Sequence, residues 1–132
     1  MASIRTEVSL SASAQQVWEV LADVGNLPKL VPGFVTRSVL EADGRAREVT
    51  FANGLTVREV IVTVDHDAKR VVWSAAGGAL THHNASAQVL DSGAGCTFVW
   101  LADLLPDEAA SGVAAMIQHG LAAVQRAFPN QR

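Results

Sequence analysis

The spacing of apolar residues changes character twice along this chain. Ala14, Val17, Trp18, Leu21 and Val24 fall at i, i+3, i+4, i+7 and i+10, which makes one buried stripe on a helix. Ser13 stands where an N-cap belongs, and Gln16 three residues on completes a capping box. Gly25-Asn26 ends that helix. The segment Leu27-Pro28-Lys29-Leu30-Val31-Pro32-Gly33 holds too much proline for more than a turn or two of a second one.

From Phe34 to about Leu105 the period becomes two. Segments near 34–42, 45–51, 55–65, 69–75, 80–90 and 95–105 are rich in Val, Ile, Thr, Phe and Trp. Residues 3–10 predict a further strand ahead of the first helix. Turn residues punctuate the run at Asp43-Gly44, Asn53-Gly54, Asp65-His66-Asp67, Gly77-Gly78 and Ser92-Gly93-Ala94-Gly95. Connections this short predict an antiparallel meander. Pro106-Asp107-Glu108 then opens a last helix, with proline in its first turn and acids at its positive end. Val113, Met116, Ile117, Gly120, Leu121, Val124 and Phe128 form its apolar face.

Strands bracketed by helices predict an α+β fold with the helices on one face of the sheet. An antiparallel sheet of about seven strands twists and curls, so it wraps around the long C-terminal helix. The curled sheet does not close tightly at both ends, and the space left is a pocket of the kind that takes small molecules. No repeat, linker or low-complexity segment interrupts residues 1–132, which read as a single ligand-binding domain.

Composition sharpens this picture. The chain is 49% apolar and 17% charged, against about 25% charged in average usage. The apolar excess either lines a cavity or covers a homodimer interface. A net charge of −3 and ten scattered Lys and Arg residues exclude nucleic acid, which requires clustered basic groups. The single cysteine, Cys96, cannot close an internal disulfide and suits a reducing cytoplasm. No apolar run at the N-terminus resembles a signal peptide, and no stretch reaches the ~18 apolar residues of a membrane span. A cytoplasmic protein with no membrane insertion is therefore expected. There is no CxxC, HExxH, GxSxG or Gly-rich phosphate loop, so neither metal nor any other cofactor is expected.

Several local motifs resemble the SRPBCC (START-related) superfamily, in particular its polyketide cyclase/dehydrase and lipid-transport type. Val17-Trp18-Glu19-Val20-Leu21-Ala22-Asp23 through Asn26-Leu27-Pro28 is similar to that family's first helix and loop. Gly44-x-x-Arg47, Gly54 and Val57-Arg58-Glu59 resemble its central hairpin. Gly95-Cys96-Thr97-Phe98-Val99-Trp100 resembles its penultimate element, and Gly120-Leu121 sits where its last helix often carries that pair. Leu30 and His83 depart from the pattern, standing where the family often has a tryptophan and another aromatic. The resemblance implies a helix-grip fold whose inner sheet face is the pocket wall.

Candidate chemistry follows from strand alternation. If Ala52-Asn53-Gly54 is a three-residue loop, Phe51 opposes Leu55, Val49 opposes Val57, and Arg47 opposes Glu59. That pair is either a solvated surface ion pair or a buried one whose hydrogen bonds a ligand completes. His82 and His83 point to opposite faces and cannot share one ion or substrate. His83 is in phase with Ala85, Ala87 and Val89, the apolar set, so it faces inward. It is either a core histidine bonded to backbone or a polar contact and general base. Trp73 and Trp100 are core residues or ligand-stacking walls, which under the resemblance partly coincide. Met116 packs helix on sheet and suits an adaptable pocket floor. His119 lies beside the apolar stripe and reads as peripheral.

Three functions remain. One is binding of a small hydrophobic molecule, lipid-like or polyketide-like, in contact with Arg47, Glu59, Trp73, His83, Ala87, Trp100 and Met116. A second is a cofactor-independent cyclase or dehydratase in which His83, Arg47 and Glu59 move protons. The third is an interaction module with a filled core.

Overall fold

The computed structural model describes residues 2–75 and 80–130. Its elements run β1 (Ala2–Leu10), α1 (Ala14–Ala22), α2 (Leu27–Leu30), β2 (Val35–Leu40), β3 (Ala46–Phe51), β4 (Thr56–Asp65), β5 (Arg70–Ala75), β6 (His82–Ser92), β7 (Gly95–Leu105) and α3 (Ala110–Ala127). The expected Gly77-Gly78 turn lies outside the described residues.

The strands form one antiparallel sheet in the order β1-β7-β6-β5-β4-β3-β2. From β2 to β7 each strand pairs with its successor, as short turns require. The first two strands sit at opposite edges. Between them α1 packs on β5, β6 and β7, and α2 packs on β2, so this segment carries the chain across the sheet. The helices and the inward side chains of the strands share one hydrophobic core, which includes Val17, Trp18 and Leu21 of α1 and Ile117, Leu121 and Val124 of α3.

Local rules account for the joints. Ser13 Oγ accepts from the Gln16 backbone N–H at 3.1 Å, and Gln16 Oε1 accepts from the Ser13 N–H at 3.0 Å, so the capping box is complete. In the β3–β4 loop Gly54 has φ +89°, a conformation that disfavours any side chain. The Leu55 N–H donates to Asn53 Oδ1 at 2.9 Å, and the Phe51 N–H donates to the Leu55 carbonyl at 2.9 Å. This is the three-residue loop expected, and it fixes the register Arg47↔Glu59 and Val49↔Val57.

Two expectations shift. β6 begins at His82 and continues to Ser92, two residues later than the pattern suggested at each end, with its inward phase unchanged. Asp107 and Glu108 lie in a separate 3₁₀ turn, Asp107–Ala109, and the first turn of α3 has no acid. A tight turn of this kind is a common entry to an α-helix.

Candidate functional site

Between the inner sheet face and α3 lies a cavity of about 180 Å³. Trp73, Ala87, Phe98 and Trp100 supply its wall, Val113, Met116 and Ile117 of α3 its floor, and Leu27, Leu30, Val31 and Phe34 its remaining side. Arg47, Glu59 and His83 are its polar members among the described residues. The lining thus includes every residue singled out as a ligand contact from the sequence.

The aromatic wall depends on small neighbours. β6 runs between β5 and β7 and places Ala85 beside Trp73 and Ala87 beside Trp100. Over these two alanines the indoles of Trp73 and Trp100 meet edge to face, their centroids 6.0 Å apart. Trp100 in turn lies against α3 at Gly120, where an added Cβ would come within 2.5 Å of Trp100 Cζ3. A helix-interior glycine ordinarily costs about 1 kcal/mol relative to alanine; here it makes room for the ring.

The polar residues lie in one row across the sheet. Arg47 opposes Glu59, Glu59 opposes Ala75, and continuing the β5–β6 register sets Ala75 beside His83. With strands about 4.8 Å apart, the backbones of Glu59 and His83 are separated by roughly 10 Å. Arg47 Nε donates to Glu59 Oε1 at 2.9 Å and its Nη1 donates to the Val24 carbonyl at 3.0 Å. The guanidinium also stands over the Trp73 ring, 5.4 Å from its centroid.

Arg47 is 3% exposed and Glu59 8%, so the solvated surface pair is excluded and the buried alternative holds. Strand alternation gave the face correctly, and the curl of the sheet with the Val24 loop encloses it. Burial pushes the Glu59 carboxyl above the usual carboxylate range and the guanidinium below its own, each opposed by the other's charge and hydrogen bond.

His83 faces inward and lines the cavity, while His82 is exposed. The core-histidine reading with a backbone partner finds no support: among the described residues the enclosed His83 Nδ1 has no hydrogen-bond partner. Burial, then the charge of His82, lowers the His83 pKa from its ordinary 6.5, so the ring is neutral at pH 7. His119 is exposed, as expected from its place beside the α3 stripe. It borders a second hollow of about 370 Å³ with Asn53 and Arg126; Phe34, Phe51 and Met116 line both hollows. Phe34 and Phe51 pack edge to face at 5.3 Å. Cys96 is buried and free.

Strand alternation did not reveal the contribution of the proline-rich segment. Leu27, Leu30 and Val31 recur at i, i+3 and i+4, a short apolar helical face that is the signal by which their contact was readable. Phe34 opens the β segment, and its ring contacts both Phe51 and Trp100.

This arrangement, an antiparallel sheet gripping a terminal helix around an apolar cavity, is the helix-grip architecture. A family model described as polyketide cyclase/dehydrase and lipid transport matches residues 1–129, and the chain belongs to that family. Comparison with curated protein sequences finds no match. Among solved structures the chain is similar to the protein XoxI of Bacillus cereus, with TM-score 0.88 and 23% identity, covering 97% of this chain and 96% of that one. A truncated norcoclaurine synthase of Thalictrum flavum aligns with TM-score 0.72 and 24% identity over 96% and 90% of the two chains. A START superfamily protein of Mycobacterium smegmatis aligns with TM-score 0.76 and 12% identity over 96% of each. At these identities the likeness is one of fold.

No helix among the described residues is long and apolar enough to cross a membrane.

Proposed function

We propose that this protein binds a small hydrophobic molecule in the cavity between the sheet and α3. The observation that carries this reading is the cavity itself: an apolar enclosure with aromatic walls and three polar side chains. Its size bears on the ligand. A dry apolar cavity of about 150 Å³ accepts benzene, so one of about 180 Å³ suits a compact ring system better than an extended acyl chain. The same volume weakens the filled-core alternative.

The family description keeps cyclase or dehydratase chemistry as a second reading. One feature supports it: Glu59 lines the cavity, where burial pushes its carboxyl above the usual carboxylate range against the opposing pull of Arg47. Under that reading His83→Ala removes turnover and spares binding.

Native mass spectrometry of freshly purified protein, followed by extraction, tests the binding reading. The expected result is a stoichiometric apolar molecule, or a large thermal shift with aromatic probes if the protein is empty. Ala87 is 1% exposed and lines the cavity, so Ala87→Trp should abolish uptake while far-UV circular dichroism is unchanged. Unaltered affinity in that variant would refute the assignment of the cavity as the binding site.

A further inference from the structure

The imidazole of His83 carries more information than its position. Nδ1 is enclosed and meets no hydrogen-bond partner among the described residues. Nε2 has no described partner either, but it is not among the enclosed unpartnered atoms, so it retains access to open space. The side chain is half-buried and lines the cavity. One ring nitrogen is thus shut into the protein without an acceptor, and the other is left unclaimed.

This asymmetry favours one tautomer, the Nε2–H form that a neutral histidine ring also prefers intrinsically. A neutral imidazole carries its proton on one nitrogen and a lone pair on the other. An N–H buried without an acceptor loses its hydration and gains nothing in return. A proton on Nδ1 would be in that position, whereas a proton on Nε2 has room to find a partner. A histidine acting as a base through Nε2 needs the opposite arrangement, with Nδ1–H held by a carboxylate or carbonyl behind it. No described residue provides that group, and Glu59 lies two strands away, bonded to Arg47.

Resting on the cavity-binding reading, we propose that His83 is a specificity-determining hydrogen-bond donor: its Nε2–H reads a carbonyl oxygen on a one- or two-ring aromatic ligand held against Trp73 and Trp100. The donor stands in an apolar setting, where an unmatched polar group is costly, so a ligand lacking the oxygen is rejected. His83 on this account recognises and does not abstract a proton.

The test uses 2-acetylnaphthalene and its near-isostere 2-isopropenylnaphthalene, in which C=CH₂ replaces C=O. Calorimetric or fluorescence titration with each is made on the native protein and on His83→Phe, which keeps an aromatic ring without the donor. Water solvates the ketone better, so a pocket without a donor favours the hydrocarbon. The expected result is a ketone preference of ~10-fold or more in the native protein, lost or inverted in His83→Phe. Equal affinities in the native protein would overturn the recognition role while leaving the cavity reading intact. Failure of both probes to bind would count against the cavity reading itself. Independently, ¹⁵N spectra of the imidazole above pH 7 should show Nε2 protonated and Nδ1 bare; the reverse tautomer sinks the proposal whatever the titrations give.

Discussion

Glu59→Leu is the most searching perturbation of the site. It removes the carboxylate and leaves the Arg47 guanidinium 3% exposed, with the Val24 carbonyl at 3.0 Å and the Trp73 face at 5.4 Å as its named contacts. Breaking a buried pair by deleting one partner costs about 3–5 kcal/mol, because an uncompensated charge stays inside. The Trp73 ring faces the guanidinium before and after the substitution and cancels from the difference, so a loss of roughly 3–5 kcal/mol is expected. For a chain of 132 residues, that corresponds to a fall in Tm of roughly 15 °C.

Arg47→Met combined with Glu59→Leu removes both charges. It should be more stable than Glu59→Leu alone, lying within about 1–3 kcal/mol of the native protein, the remainder being the Val24 carbonyl deprived of its donor. Urea denaturation of the four proteins closes the cycle, with an expected coupling of about 2 kcal/mol or more. A Glu59→Leu loss below about 1 kcal/mol with no coupling would show a pair behaving as if solvated. The burial argument, and the dryness of that end of the cavity, would then be wrong.

Gly120→Ala should destabilise by about 1–3 kcal/mol, against the gain usual in a helix interior, because the new Cβ meets Trp100 Cζ3 at 2.5 Å. A shifted tryptophan emission should accompany the change, and a rise in Tm would contradict the packing described. The lowered pKa of His83 means the unfolded chain binds its proton more readily than the folded one. Its contribution is therefore fully present above pH 6.5 and is lost as pH falls through the folded value, and His83→Phe should flatten that acid-side slope in denaturation curves. Ser13→Ala removes the capping box and should cost about 1 kcal/mol by urea denaturation, with no effect on ligand affinity.

Much of this molecule was legible from residue order because its sheet is a meander of short turns. The pairing Arg47↔Glu59 followed from counting Ala52-Asn53-Gly54 as the loop, and the inward phase of His83 followed from Ala85, Ala87 and Val89. Alternation gives only the face of a sheet. Whether Arg47 and Glu59 were wet depended on the curl of β3 and β4 and on where the Val24 carbonyl came to rest, neither of which is a local property. The missing partner of His83 Nδ1 likewise arises from packing across strands. The apolar side formed by Leu27, Leu30, Val31 and Phe34 was obscured by the prolines among them, which mark a break in regular structure and hide the short helical face.

The strand order has a consequence for how the chain reaches this state. β1 pairs with β7 throughout, from Ala2 against Leu104 to Leu10 against Cys96. Of these seven strands, the one synthesised first therefore has no partner until the one synthesised last has emerged. Every other strand pair is a hairpin of neighbours, able to form as the chain lengthens. Such long-range closure is slow relative to local pairing, so Ile4, Val8 and Leu10 wait exposed while the meander assembles. During synthesis this segment is the one most in need of shielding, and its docking is the event that covers the open edge of β7.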